Sequence, residues 1–273
     1  MTKPNDITVV IPAYQSELFV SGTLAAVAKQ TIRPHEVIVV DDGSTDATCA
    51  VVESFALAHP ELSVRLLRKP HDGPGATRNA GVRAAASEWI AFLDSDDLWY
   101  PEKLAKIQNA MEANPEANFY YHNLMARSLA GVERVAYRGK GLSSGKTVSS
   151  QLFRRNYFST SSVVCRRDLV LRWGGFDETL PSAQDYELWL RMSPDMVPVF
   201  VPEVLGTYVD RKGNISTSRF WKRLIDLLRV KHRHRTKGGV GFYVYCILYA
   251  VVVHITTPIR DSVKRVLMFG IGR

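Results

Sequence analysis

Asp94-Ser95-Asp96-Asp97 places three carboxylates within four residues, directly after the apolar run Trp89-Ile90-Ala91-Phe92-Leu93. A run of this length and composition predicts a buried strand. In an open α/β sheet, ligands lie in the crevice at the carboxyl ends of the strands, so the cluster is expected where a ligand binds. Carboxylates this close repel one another unless a cation or hydrogen-bond donors offset the charge. A hard divalent ion that keeps positions open for substrate phosphates is the simplest resolution. The plainer alternative is a polar turn in which Asp97 caps a helix starting in Leu98-Trp99-Tyr100-Pro101-Glu102.

The elements that must hold this cluster repeat along the first 110 residues. Glu36-Val37-Ile38-Val39-Val40 is a second strand-like run, followed by Asp41-Asp42-Gly43-Ser44-Thr45-Asp46. Its glycine permits a tight turn, and Thr45 or Asp46 can cap a helix from Ala47 to Ala58. Ile7-Thr8-Val9-Val10-Ile11 is a first strand, closed by Pro12-Ala13-Tyr14, with Ser16 expected to cap a helix reaching Gln30. Ser63-Val64-Arg65-Leu66-Leu67 is a further strand, leading to His71-Asp72-Gly73-Pro74-Gly75-Ala76-Thr77-Arg78-Asn79-Ala80-Gly81. Four repeats of strand, loop and helix predict an α/β fold: a doubly wound, mostly parallel sheet flanked by helices, with the four loops at one edge.

Ile11-Pro12-Ala13-Tyr14, Val40-Asp41-Asp42-Gly43-Ser44-Thr45-Asp46, Gly73-Pro74-Gly75-Ala76-Thr77-Arg78-Asn79 and Leu93-Asp94-Ser95-Asp96-Asp97 occur in this order. Each motif alone is weak; together they resemble the family 2 glycosyltransferases, which have the GT-A fold. The resemblance extends over residues 6–215 and is looser in its second half. It implies a nucleotide-diphosphate sugar, by the family's common default a UDP-sugar, bound across the strand ends. Pro12, Ala13 and Tyr14 would pack against base and ribose, and Asp42 would accept a hydrogen bond from the base. Arg78 would meet the nucleotide or diphosphate, where a guanidinium suits anionic oxygens. Asp94, Ser95 and Asp96 match the family's Asp-x-Asp element, with Asp96 a direct ligand of Mg2+ or Mn2+ and Asp94 nearer the ribose. The metal would bridge the diphosphate and stabilise the leaving group.

Displacement at an anomeric carbon also requires a base facing the sugar opposite the leaving diphosphate. Asp185, near the start of the amphipathic segment Ser182-Ala183-Gln184-Asp185-Tyr186-Glu187-Leu188-Trp189-Leu190-Arg191, is the candidate, and Glu187 is a lesser rival. A first-turn carboxylate favoured by the helix dipole is the bland reading of Asp185. The resemblance favours the base, although the family usually has Glu-Asp where this chain has Gln184-Asp185. Trp173-Gly174-Gly175-Phe176-Asp177-Glu178 resembles the loop that shapes the acceptor side. Arg211 stands where the family usually carries a histidine near the diphosphate, and a permanent cation there still pairs with phosphate.

Composition divides the chain into a catalytic domain at residues 1–218 and a tail at 219–273. The first comprises a nucleotide-sugar half (1–110) and an acceptor half (111–218). At 273 residues and 46% hydrophobic content, one large core plus an appendage is expected. No secretory leader is expected, and three widely spaced cysteines (Cys49, Cys165, Cys246) fit a reduced setting. Residues 139–145, rich in Gly, Ser and Lys, read as a mobile loop near the acceptor side.

The net charge of +8 resides in the tail: residues 1–218 hold 23 Lys/Arg against 25 Asp/Glu, and residues 219–273 hold 12 against 2. A catalytic groove for a polyanion is therefore not expected. Arg219 to Lys237 carries eight Lys/Arg and one Asp, followed by an uncharged stretch to Ile259. Such a sequence suits attachment to an anionic membrane surface, by a helix that spans or lies in the plane, and keeps residues 1–218 cytoplasmic. A helix packed on the catalytic domain is the third reading. The expected partners are a nucleotide-sugar donor, a glycan or lipid-linked acceptor and a membrane, with no nucleic acid, because no RNA- or DNA-reading module accompanies the basic run. A non-catalytic sugar-nucleotide-binding relative has no need of Asp185. A nucleotidyltransferase would show a glycine-rich basic loop after the first strand, where Pro12-Ala13-Tyr14-Gln15-Ser16 has neither glycine nor charge.

Overall fold

The structure is a computed structural model that describes residues 6–127, 133–136, 141–209, 220–235, 241, 243–249 and 251–252. Seven alternating elements open the chain: β1 (Ile7–Ala13), α1 (Val20–Ala28), β2 (Glu36–Asp41), α2 (Thr48–Ala58), β3 (Val64–Arg68), α3 (Gly73–Ala84) and β4 (Trp89–Phe92). β2 and β4 flank β1 in parallel, and β3 extends the sheet beyond β2. The order β3-β2-β1-β4 creates a switch point between β1 and β4. Loops leaving the carboxyl ends of these strands converge on that crevice, where open α/β sheets bind ligands.

The second half contributes β5 (Leu98–Trp99), α4 (Lys103–Ala113), β6 (Phe119–Arg127), β7 (Glu133–Ala136), α5 (Val148–Arg154) and a 3-10 turn (Thr160–Ser162). It continues with β8 (Val164–Arg166), α6 (Arg167–Arg172), α7 (Gln184–Met192), β9 (Pro198–Val209) and α8 (Phe220–Arg233). β8 runs antiparallel between β4 and β6, β9 is parallel to β6, and β5 is antiparallel to β9. The sheet is thus parallel in its first half and mixed in its second.

Period-two alternation along the strands feeds two cores, one on each face. Val9, Ile11, Val37 and Val39 join the layer that includes Leu24, Leu104 and Ile107, while Val10, Ile38 and Val40 join Val82, Leu188 and Trp189. Burial on both faces explains why β1 and β2 read as nearly continuous apolar runs. Gly81 lets α3 approach this sheet closely, since a Cβ there would meet Val10 Cγ1 at 2.4 Å.

One local expectation changes, and the segments at Asp97 and at residues 139–145 take these forms. α1 starts at Val20, because the Ser16 hydroxyl pairs with Ser95 Oγ at 2.9 Å instead of capping a helix. Asp97 caps nothing: Leu98 and Trp99 form β5, and the next helix begins at Lys103. Residues 139–140 lie outside the described residues, but Leu142 and Ser143 of the same glycine-rich segment are held by Tyr121 Oη (3.1 Å) and Gln151 Oε1 (2.6 Å).

The basic tail does not begin as a separate appendage. α8 places Leu224 and Val230 in buried positions, and Val230 joins the core that also contains Cys246. Asp226 accepts the Ser182 hydroxyl at 2.7 Å, and the buried Lys231 ammonium donates to the Phe153 carbonyl and reaches Tyr186 Oη at 3.2 Å. Apolar positions recurring between the charges give this helix a face to pack, in keeping with the third reading of the tail. Among the described residues, no helix is long and apolar enough to cross a membrane.

Candidate active site

Asp42 follows β2 and is almost entirely buried. Its Oδ1 receives Lys69 Nζ at 2.5 Å and the Asp72 N–H at 3.0 Å; its Oδ2 receives the Gly73 N–H at 2.9 Å and lies 2.9 Å from His71 Nδ1. Burial alone would raise its pKa, but Lys69 and these backbone donors outweigh that and hold it below the ordinary value. The carboxylate also sits at the N-terminus of α3, a favourable place for negative charge. Gly43, at φ 75°, is required beside it, since a Cβ would lie 2.9 Å from the His71 nitrogen. Tyr14 stacks on His71 with centroids 4.3 Å apart, and it is half exposed. Lys69 and His71 carry no motif and were not singled out from the sequence; only the fold brings them to Asp42.

The loops after β1 and β2 clamp each other. Gln15, in a left-handed conformation at φ 48°, accepts the N–H groups of Thr45 and Asp46 through Oε1, at 3.1 and 3.2 Å. Glu17 accepts the Ala47 N–H at 2.9 Å, and Asp46 returns the bond by accepting the Glu17 N–H at 3.2 Å. Asp46 also accepts the Thr48 N–H at 3.0 Å, but α2 starts at Thr48 rather than Ala47, and Ala47 stands at its N-cap position. Pro12 and Ala13 lie in β1 opposite Val40 and Asp41, and the Ala13 carbonyl accepts the Asp42 N–H at 2.9 Å.

At the end of β4, Asp94 Oδ1 accepts a hydrogen bond from Arg78 Nη2 at 2.6 Å. Arg78 projects from α3 and is largely buried over the Phe176 ring, 5.5 Å from its centroid. Its Nε has no hydrogen-bond partner among the described residues. Ser95 is buried, its hydroxyl on Ser16 and its carbonyl accepting Thr23 Oγ1 at 2.9 Å. Asp97 lies wholly inside, where burial and then the charges of Asp96 and Asp94 push its carboxyl well above the usual range.

Asp185 sits in the first turn of α7, in the same electrostatic neighbourhood as Arg78 and Asp94. Its Oδ2 accepts from Asn156 Nδ2 and Thr160 Oγ1, each at 3.4 Å. Burial raises its pKa; the Tyr186 N–H and Arg78 work in the opposite direction, and Asp94 adds to the increase. Glu187, the sequence rival, is engaged elsewhere. Its carboxylate pairs with Arg191 at 2.6 Å and His234 at 3.3 Å, and Arg191 continues to the Trp173 and Gly175 carbonyls. Glu187 is therefore a strut between α7, the glycine loop and the segment after α8.

The glycine loop is bound to α3 by Asn79. Asn79 accepts the Phe176 N–H at 2.7 Å and donates to the Phe176 carbonyl and Glu178, each at 2.8 Å. Gly175, at φ 72°, leaves room for this, since a Cβ would sit 2.4 Å from Asn79 Oδ1. Arg211 lies outside the described residues. Among the described residues, no three His, Cys, Asp or Glu side chains converge as a complete metal cage. Asp94 and Asp96 are hard oxygen donors flanking one residue at the crevice, which fits an ion that brings further ligands from a diphosphate.

With this geometry in place, residues 8–166 match glycosyl transferase family 2. The chain belongs to this family. Among curated relatives, the transferase is 25% identical over 264 residues to an uncharacterized glycosyltransferase of Haemophilus influenzae, covering 94% of this chain and 87% of that protein. It is 28% identical over 227 residues to the Escherichia coli UDP-Glc:alpha-D-GlcNAc-diphosphoundecaprenol beta-1,3-glucosyltransferase WfgD, covering 81% and 85%. Some relatives are longer: the transferase spans 30% of a Rickettsia conorii glycosyltransferase, with 30% identity over 195 residues.

Two solved structures share the GT-A fold. S. aureus TarS 1–349 in complex with UDP-GlcNAc superposes with a TM-score of 0.72 at 21% identity, covering 92% of this chain and 73% of that one. The mannosyltransferase PcManGT from Pyrobaculum calidifontis, in complex with GDP-Man and Mn2+, gives 0.68 at 22% identity, covering 93% and 72%.

The raised pKa of Asp185 has a defined sign for activity. With Asp185 as base, which works ionised, the acid limb of the kcat/KM profile is expected above the ordinary aspartate value, with activity lost as pH falls through it. Asn156 stabilises the ionised form, so Asn156→Ala moves that limb further up. An acid limb at the ordinary value in both proteins would remove Asp185 as the titrating base.

Proposed function

We propose that this transferase moves a sugar from a UDP-sugar to a hydroxyl of a glycan or lipid-linked saccharide by a single, inverting displacement. The observation that carries the reading is that neighbouring residues of one turn contact both Asp185 and Asp94, which is paired with Arg78. Asp185 takes the proton of the attacking hydroxyl. Arg78 meets the diphosphate while pairing with Asp94, as a guanidinium suits anionic oxygens. Tyr14 offers a face for the base. Asp42 bonds the base by exchanging one of its present donors, His71 being the more exposed. Pro12 and Ala13 line the base and ribose, and the backbone at Ser95 contributes beside them. Arg211 supplies a further cation toward the diphosphate.

Asp96 and Asp94 would hold Mg2+ or Mn2+, which supplies charge neutralisation at the diphosphate when bound. TarS was solved with UDP-GlcNAc, PcManGT with Mn2+, and WfgD is named for a UDP-glucose donor and a diphosphoundecaprenol-linked acceptor. These support a uridine donor, a divalent ion and a lipid-linked acceptor for the present chain, in polysaccharide biosynthesis.

The same reading puts the enzyme at the cytoplasmic face of a membrane, attached through its tail. Val244, Leu248 and Val252 are exposed at four-residue spacing, whereas Cys246 is buried against the core. That arrangement favours a helix lying in the membrane plane, with the basic residues of the tail toward anionic headgroups.

Asp96→Asn is expected to stay folded and to lose Mn2+-dependent binding of a nucleotide sugar, read by calorimetric titration; unchanged affinity removes Asp96 from the ion site. Asp185→Asn is expected to bind donor normally and to transfer about 10²–10⁴ more slowly, as for loss of a positioned base. NMR of the wild-type product should show an inverted anomeric centre, and a retained anomer rejects single displacement. In fractionation, full-length protein is expected with membranes and to resist a salt wash. Release by salt alone argues against burial of the apolar face in lipid, and an entirely soluble protein rejects attachment.

A further inference from the structure

We propose that Ser161 and Asp97 are a positioning pair that fixes the carboxylates of the donor site relative to the catalytic base. The inference rests on the transfer reaction proposed above, but neither residue has a role in that chemistry. Both are buried, with Ser161 0% and Asp97 1% exposed, so neither side chain can touch a substrate.

The Ser161 hydroxyl faces two ways. It donates to Asp97 Oδ2 at 2.5 Å and accepts the Asp94 N–H at 3.1 Å. Its carbonyl accepts Trp99 Nε1–H at 2.9 Å and Lys103 Nζ at 3.1 Å. The Lys103 ammonium is itself buried, 3.2 Å from the centroid of the Trp99 ring. Asp97 completes the joint. Its Oδ1 lies 3.4 Å from the Val209 nitrogen at the end of β9, and its carbonyl, like that of Ser95, accepts the Thr23 hydroxyl.

The residue before Ser161 faces the other half of the chemistry. Thr160 donates to Asp185 Oδ2 at 3.4 Å. One three-residue turn, Thr160–Ser162, therefore contacts the Asp94 backbone with one side chain and the base with the next. The turn leads into β8, which is paired with β4. Displacement requires the leaving diphosphate and the attacking hydroxyl on opposite sides of one carbon, and a misplacement of about 1 Å costs on the order of 10²-fold. A buried carboxyl group, charged or neutral, is costly unless its hydrogen-bond partners are held in place, so Asp97 resists any rearrangement of Ser161. The energy that keeps Asp97 satisfied thus also keeps Asp94 and Asp185 in register.

The test uses the full chain with Mn2+ and UDP for binding, and turnover of the nucleotide sugar that wild type consumes fastest. Thr160→Val is expected to keep UDP affinity while kcat falls about tenfold, and Thr160→Ser, which retains the hydroxyl, is expected to restore it. Ser161→Ala, checked for cooperative melting, is expected to weaken Mn2+-dependent UDP binding and lower kcat together. A purely structural role would lower the melting temperature and leave affinity and kcat of the folded enzyme unchanged. The proposal is overturned if folded Ser161→Ala keeps both parameters, or if Thr160→Val keeps wild-type kcat. Should Ser161→Ala not fold, the Thr160 pair decides alone. Wild-type protein that turns over no nucleotide sugar rejects the transfer reading, and this inference with it.

Discussion

Crowding of negative charge at the end of β4 is the constraint on which the rest of the site depends. Burial and then the charges of Asp96 and Asp94 raise the Asp97 carboxyl, Asp94 adds to the rise at Asp185 from the other half of the chain, and Arg78 pairs with Asp94. The fold separates them by environment. Asp94 is paired with Arg78 at the crevice, Asp97 is buried against Ser161, and Asp185 is raised by burial yet held by Asn156 and Thr160. Groups of one chemical type thus acquire different surroundings: an ion pair, a buried hydrogen bond and a pair of neutral donors.

A second requirement is that the two halves be joined rigidly, since donor and acceptor must meet within a fraction of an ångström. Asn79 binds α3 to the glycine loop, and Arg191 binds that loop to α7 through Glu187. α8 then braces the same helix through Asp226 and Lys231. The tail thus combines two properties: it supports the helix that carries Asp185, and it concentrates the chain's positive charge.

Legibility in the sequence followed locality. The strand ends at Asp42 and Asp94 stood out because apolar runs stop abruptly in acidic residues, and both follow strands that flank β1 in parallel. Asp185 was legible through its place on an amphipathic helix together with the family resemblance. Ser16 was misread as a cap, and a cap was the plainer alternative for Asp97, because a hydroxyl or carboxylate before a helical pattern has the same appearance whether it bonds its own helix or a distant loop. Glu187 looked like a rival base because its partners, Arg191 aside, come from distant chain positions.

What the sequence determined by itself was the alternation of elements, the two-faced burial of β1 and β2, and the carboxylates at the strand ends. Period-two and helical patterns are properties of neighbouring residues, so they survive without knowledge of the fold. Tertiary structure alone decided that Lys69 and His71 close on Asp42, that Ser161 joins Asp94 to Asp97, and that α8 enters the core. Each of these rests on groups far apart in the chain, and each is held because a buried charge or polar group must find a partner wherever the fold brings one within reach.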